Sequence, residues 1–132
     1  MTLTILASMS VFADAQNDIA VVIDGYTVEF DVEPTIINGR TMVPLRAIFE
    51  ALGAGVEWDN VTKTVYASKD GTTVSLQIGS NQMIVNGITK TLDVPAQLVN
   101  NRTLVPVRAI SEAFGCQVEW NGKTKTVIIT QQ

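Results

Sequence analysis

The chain has no histidine and one cysteine among its 132 residues, and no lysine or arginine precedes Arg40. Without imidazole or clustered thiols, the ligand sets that usually hold zinc or copper are missing, and so is the commonest acid–base catalyst. Neither a P-loop nor a Gly-x-Ser-x-Gly nucleophile elbow occurs. Carboxylate pairs are present, as in any chain with thirteen acidic residues, and helix or strand pattern accounts for Glu50 and Glu57. The expectation is a chain that is not an enzyme, with no metal site, no catalytic residues and no cofactor. The lone Cys116 excludes a disulfide within the chain. It stands where the first half of the sequence has Ala54, which suggests a small buried apolar side chain. Nine basic residues against thirteen acidic ones leave a net charge of −4 without a basic run, so nucleic acid and anionic membranes are not expected partners.

What the sequence does have is apolar material: 46% of it is hydrophobic, enough for a packed core. Residues 1–15, MTLTILASMSVFADA, form an apolar run ending in the small-x-small pattern Ala13-Asp14-Ala15. This is the outline of a secretory signal whose basic opening segment is missing, so the true start is expected upstream. The run is short for a membrane span and no other segment approaches the length required, so no span is expected in the mature chain. The expected location is secreted, extracellular or at the cell surface.

The dominant feature is a repeat. RTMVPLRAIFEALG, residues 40–53, returns 62 positions later as RTLVPVRAISEAFG, residues 102–115. The gapless correspondence runs outward on both sides, giving duplicated units at about 20–69 and 82–131 within a domain of residues 16–132. Both units keep Arg40/Arg102, Pro44/Pro106, Arg46/Arg108, Glu50/Glu112, Gly53/Gly115 and Trp58/Trp120. Each reads as hairpin, loop, helix, hairpin. Asp24-Gly25 and Asn86-Gly87 supply the positive φ of tight hairpin turns. Pro44 and Pro106 fit a first helical position, and Gly53 and Gly115 fit the left-handed residue past the helix end. Between them lies a helix of about two and a half turns. Leu45, Ile48, Phe49 and Leu52 share one apolar face, and Val107, Ile110 and Phe114 hold it in the second unit, where Ser111 replaces Phe49. Val74, Leu76 and Ile78 alternate with polar residues, implying an antiparallel sheet with one wet face and helices on the dry one. The fold class is therefore α+β, with duplicated units of antiparallel hairpins wrapped around a short helix, two helices in total.

All four arginines lie in the repeat. Forked guanidinium donors could clamp an anion or carboxylate. A structural role is favoured instead, because Arg46 and Glu50, and Arg108 and Glu112, are helical neighbours and Arg40 and Arg102 can meet loop carbonyls. Exposed Trp58 and Trp120 would stack sugars, but their strand phase matches Val56 and Val118, which places them in the core. Tyr26 and Tyr66, each replaced by Ile in the other unit, read as apolar fillers. The strand at 72–78 has no counterpart after the second unit, which ends one strand short. An open edge invites another chain, and Asp18, Ile19, Ala20, Val21, Val22 and Ile23 are the expected donor strand for self-assembly into oligomers or fibres.

GRTMVPLRAIFEALGAGVEWDNVTKTV and NRTLVPVRAISEAFGCQVEWNGKTKTV resemble the copper amine oxidase N-terminal domain family over nearly all of residues 20–130. The resemblance implies a non-catalytic stalk domain, a small antiparallel sheet around a helix, found in secreted or surface-attached bacterial proteins. It does not imply copper chemistry, which belongs to other domains of that family's proteins. No enzymatic or anchoring partner domain lies in these 132 residues, so the module itself is expected to carry the function. That function is expected to be an exported surface or matrix module acting through protein contacts, with a second copy among its partners. The alternative is a module that binds cell-wall polysaccharide.

With no His and no thiol cluster, adding copper or a chelator should leave the melting temperature unchanged. A stoichiometric shift at low micromolar copper, measured by scanning calorimetry, would overturn that expectation.

Overall fold

Pairs of residues with positive φ set the hairpins. Asp24 and Gly25 have φ of 49° and 88°, and Asn86 and Gly87 have 50° and 84°, the left-handed pair that a two-residue turn needs to follow strand twist. In the computed structural model, which describes residues 18–132, these turns join β1 (Ala20–Ile23) to β2 (Tyr26–Thr27) and β8 (Gln82–Val85) to β9 (Ile88–Thr91). The expected signal segment at 1–15 lies outside the described residues. Between the hairpins run β3 (Thr35–Ile37), β4 (Arg40–Pro44), α1 (Leu45–Ala51), β5 (Gly55–Asp59), β6 (Thr64–Lys69) and β7 (Thr72–Gln77). After them run β10 (Gln97–Val99), β11 (Arg102–Pro106), α2 (Val107–Ala113), β12 (Gln117–Asn121) and β13 (Thr126–Thr130). The described residues thus form an α+β fold of mostly antiparallel strands with two helices.

The strands form three sheets, in the orders β10-β11-β4-β3, β5-β6-β7-β8-β9 and β12-β13-β1-β2, rather than one sheet with a helical cover. The first is the centre. There β4 and β11 run antiparallel with Val43 opposite Val105, Met42 opposite Pro106 and Pro44 opposite Leu104, so the pairing is symmetric about the valine pair, each valine facing its own counterpart. Met42, Val43, Leu104 and Val105 have no exposed surface. Pro44 and Pro106 close these strands and cap the helices, one position earlier than the sequence suggests. Pro fits because its fixed φ suits a strand end turning into a helix, and no helix bond needs its N–H.

Each helix is seven residues long. Gly53 (φ 85°) and Gly115 (φ 84°) end them in the left-handed region, and the amides of Ala54 and Cys116 return to the carbonyls of Phe49 and Ser111. Leu45, Ile48, Phe49 and Leu52 of the first helical segment are buried, as are Val107, Ile110 and Ser111 of the second. Phe49 and Phe114 meet edge to face at 5.9 Å and 87°, a favourable aromatic geometry. The helices cross over: α1 contacts β11 as well as β4 and β5, and α2 contacts β4 as well as β11 and β12. Neither half could therefore bury its helix alone.

Residues Asp18 to Ile23 are not a free donor. They lead into β1, which lies parallel to β13 with Val21 opposite Val127 and Ile23 opposite Ile129, and antiparallel to β2. Val21 is fully buried, and Ile19 and Ile23 nearly so. The reason is topological. In the five-stranded sheet β7 is antiparallel to both β6 and β8, which makes those two parallel to each other. No strand like β7 stands between β13 and β1, so they meet directly and must run parallel. β1 thus lies against β13 where β7 lies against β6. The seam is sealed by Ala20 N–H to Lys125 O at 3.0 Å, Asp24 N–H to Ile129 O at 2.9 Å, and Gln131 N–H to the Asp24 carboxylate at 3.0 Å.

Deleting residues 16–22 should therefore remove a core strand rather than release a monomer from an oligomer. The expected result is loss of a cooperative thermal transition and a gain in apolar-dye binding. A truncated chain that melts like the parent would show that β1 is dispensable.

Candidate functional site

The sequence pattern puts Trp58 and Trp120 in the core, and the structure does not. They are 42% and 46% exposed. Trp58 shares a strand face with Val56 and sits opposite the buried Val65, so the phase was read correctly. The helix beside it, α1, is seven residues long, only about 10 Å. Both tryptophans also lie on outer strands, β5 and β12. Tyr26 and Tyr66 are likewise at the surface, 80% and 48% exposed. Tyr66 alternates with the buried Val65 and Ala67 and points off the opposite face of β6, while Tyr26 lies on the outer strand β2.

Each tryptophan forms one wall of a groove. In the first groove, of about 560 Å³, Trp120 is joined by Arg108 and Glu112 of α2, by Arg40 and Asp93, and by Ile36 of β3. In the second, of about 840 Å³, Trp58 is joined by Arg46 and Glu50 of α1, by Arg102 and Asp31, and by Leu98 of β10. Every one of these residues in one groove has its counterpart, 62 positions away, in the other. Ile36 and Leu98, 55% and 65% exposed, add an aliphatic flank opposite the ring. Trp120 leans over the β12–β13 turn, where a Cβ on Gly122 would come within 3.4 Å of the indole Nε1.

The repeated arginines sit in or at the mouths of these grooves, and their pairing crosses between the units. Arg102 donates from Nε and Nη2 to one oxygen of Asp31 at 2.8 and 2.6 Å. Reciprocally, Arg40 donates from Nε to Asp93 at 3.0 Å and forms an ion pair with it through Nη2. Loop carbonyls are only secondary partners, Gly39 O for Arg40 at 3.5 Å and Asn101 O for Arg102 at 3.4 Å. On the helices, Arg46 approaches Glu50 at 3.9 Å and Arg108 approaches Glu112 at 3.3 Å. Arg108 also donates to Val118 O at 3.0 Å, tying α2 to the strand that carries Trp120. All four pairs are solvent-exposed, where such contacts add little stability. Their consequence is to fix the polar groups around the grooves.

Asx turns orient the loops that follow the tryptophan strands. The Asp59 carboxylate accepts from Val61 and Thr62 N–H, and Asn121 Oδ1 accepts from Lys123 and Thr124 N–H. Those backbone donors, Thr62 foremost, hold the Asp59 carboxyl below its ordinary value. Burial pushes the Cys116 thiol up, so the side chain is a protonated filler rather than a reactive thiolate. Among the described residues no group of three or more His, Cys, Asp or Glu is placed to hold a metal ion. None of their helices is long and apolar enough to cross a membrane.

The described residues thus form an α+β frame with two matching aromatic and charged grooves. The chain belongs to the copper amine oxidase N-terminal domain family, whose pattern matches residues 22–129. That domain is the non-catalytic part of amine oxidases and occurs in extracellular or periplasmic proteins. The chain is similar to a protein named protease inhibitor from Brevibacillus choshinensis, with 30% identity over 87 residues, which is 66% of this chain and 27% of that protein. It is also similar to a primary amine oxidase from Klebsiella aerogenes, with 33% identity over 73 residues, or 55% of this chain and 10% of the oxidase. The chain therefore spans only a small part of these relatives.

The Arg102 side-chain hydrogen bonds hold the Asp31 carboxyl below its ordinary value of 3.8, against partial desolvation that raises it. Asp31 in turn raises Arg102. A carboxyl depressed by folding contributes stability that is complete above the unfolded value and disappears as pH falls through the folded one. Asp31→Asn should therefore flatten, without abolishing, the drop in melting temperature below pH 3.8, because the Asp59 contribution persists. Identical acid profiles for variant and parent would show that the Arg102 contact is not kept in solution.

Proposed function

We propose that the chain is an exported, non-catalytic recognition module, and that its two tryptophan grooves are its binding surface at the cell exterior. One observation carries this reading. Two large aromatic side chains that strand pattern assigns to the core are both held half-exposed, each between a helix Arg–Glu pair and an Arg–Asp pair contributed across the units. Leaving a single tryptophan in water is unremarkable. Two in equivalent settings suggest a retained use, since aromatic and arginine side chains carry much of the free energy of recognition surfaces. The units read as a duplication that doubled the site. The repeated Arg, Glu and Trp residues would on this reading position the grooves as well as stabilise the frame.

A second reading, contact with protein including another copy of this chain, rests on a different surface. All four residues of β9 are exposed, with Ile88 at 64%, and β9 is the outer strand of the five-stranded sheet. Such an edge can accept an added strand. A relative bearing the name protease inhibitor supports protein contact in the same general sense. Self-assembly would then use β9, because residues 18–23 are occupied.

The test is co-sedimentation of the protein with cell envelopes of the producing organism. The parent should sediment with them. A Trp58→Ala/Trp120→Ala double variant should stay soluble while losing on the order of 1 kcal/mol of stability per site, less than the ~3 to 5 kcal/mol of an emptied core aromatic position. A double variant that sediments like the parent would remove the grooves from the binding surface.

A further inference from the structure

The charges around each groove nearly cancel. Around the second, Arg46, Lys63 and Arg102 stand with Glu29, Asp31 and Glu50. Around the first, Arg40 and Arg108 stand with Asp93, Glu112 and Glu119. Each groove has two guanidinium–carboxylate pairs already formed. A charged ligand would have to exchange one exposed ion pair for another, with little net gain. A neutral ligand rich in hydroxyls need not disturb them. Its oxygens can accept from guanidinium N–H groups, its O–H groups can donate to the unused carboxylate lone pairs, and bonds to charged partners are stronger than neutral ones.

The remaining feature of each groove is a flat one. A tryptophan with more than half its surface covered is held from below and offers apolar area to an occupant. Sugar rings combine an apolar C–H face with a rim of hydroxyls, which suits an aromatic platform surrounded by fixed polar side chains. Of the sheet edges that border the grooves, β3 and β10 are three residues each, too short to template an added strand; β5 and β12, which carry the tryptophans, are five each, so a peptide added there is the competing occupant that the test must exclude.

Resting on the reading of the grooves as the binding surface, we propose that each groove binds a stretch of neutral glycan. Trp58 and Trp120 stack on a pyranose ring, and the Arg–Asp and Arg–Glu pairs bond its hydroxyls. Because both grooves belong to one rigid frame, a polysaccharide that reaches both is held by avidity, while a short oligosaccharide fills them separately.

Calorimetric titration with neutral tetrasaccharides of glucose, mannose, xylose and N-acetylglucosamine, beside a charged galacturonate tetrasaccharide, tests the ligand class. At least one neutral probe should occupy both grooves and shift tryptophan fluorescence to the blue, and it should bind better than the charged probe. Trp58→Ala and Trp120→Ala should each remove one equivalent of binding and leave the other site's affinity unchanged. Binding of the corresponding polymer should weaken by about 100-fold in either single variant. Failure of every neutral probe, preference for the charged one, or stoichiometry unchanged in the variants would overturn the proposal.

Periodate-treated envelopes separate its failure from that of the broader reading. Loss of tryptophan-dependent sedimentation after glycan oxidation supports the glycan. Tryptophan-dependent sedimentation that survives periodate but not protease treatment of the envelopes makes the occupant a protein, which overturns the glycan and leaves the grooves as the binding surface. Sedimentation indifferent to both tryptophans overturns both.

Discussion

The antiparallel pairing of β4 with β11 is the constraint from which the rest follows. Val43 opposite Val105 fixes the register, and because Val43 and Val105 belong to the main core cluster and Met42 and Leu104 to the smaller one, a slip of one residue would exchange the side chains that fill the two clusters. Once the two R-T-x-V-P segments are joined, each proline releases its chain into a helix beside the partner's strand, so the helices pack across the centre instead of within their own units. The arginines at the starts of the same strands then reach the aspartates of the opposite units, Arg40 to Asp93 and Arg102 to Asp31. Core, helices and groove mouths are consequences of one pairing.

That pairing also explains why the protein can have two similar grooves without having two separate domains. A groove needs a helix and a tryptophan strand from one unit and a strand start from the other. The main core cluster runs from Ile19 and Val21 through both helices to Val127 and Ile129, so the frame is continuous. A smaller cluster of Met42, Val94 and Leu104 lies beside the central pair. One imperfection persists at Ser111, fully buried with a hydroxyl that has no hydrogen-bond partner. Its counterpart is Phe49, whose ring instead packs against Phe114. The sequence exchanges a ring for a small side chain in one position and restores the volume in another.

Much of this was legible locally. Asp-Gly and Asn-Gly gave the hairpin turns, the i, i+3, i+4 spacing of Leu45, Ile48, Phe49 and Leu52 gave the helix and its buried face, and Gly53 and Gly115 gave its end, because each depends on neighbours within one or two turns of chain. Alternation along β5 gives the face on which Trp58 lies, but not that β5 and β12 are the outer strands of their sheets, and the exposure of Trp58 and Trp120 depends on that placement. Likewise the parallel seam of β1 on β13 joins residues 20–23 to 126–129, a pairing that local pattern does not reveal.

The sequence alone determined the repeat, the hairpin turns and which helix residues face inward, since these depend on residue chemistry and short-range geometry, whereas the stretches before the helices that read as loops are the strands β3, β4, β10 and β11 of the central sheet. Only the tertiary structure decided which strands pair, that Arg40 and Arg102 reach carboxylates across the units, and that Trp58 and Trp120 stand open to an occupant. Those outcomes depend on contacts between residues far apart in the chain, such as the 71 positions between Asp31 and Arg102. Local periodicity says nothing about which distant surface will arrive to cover a side chain or leave it bare.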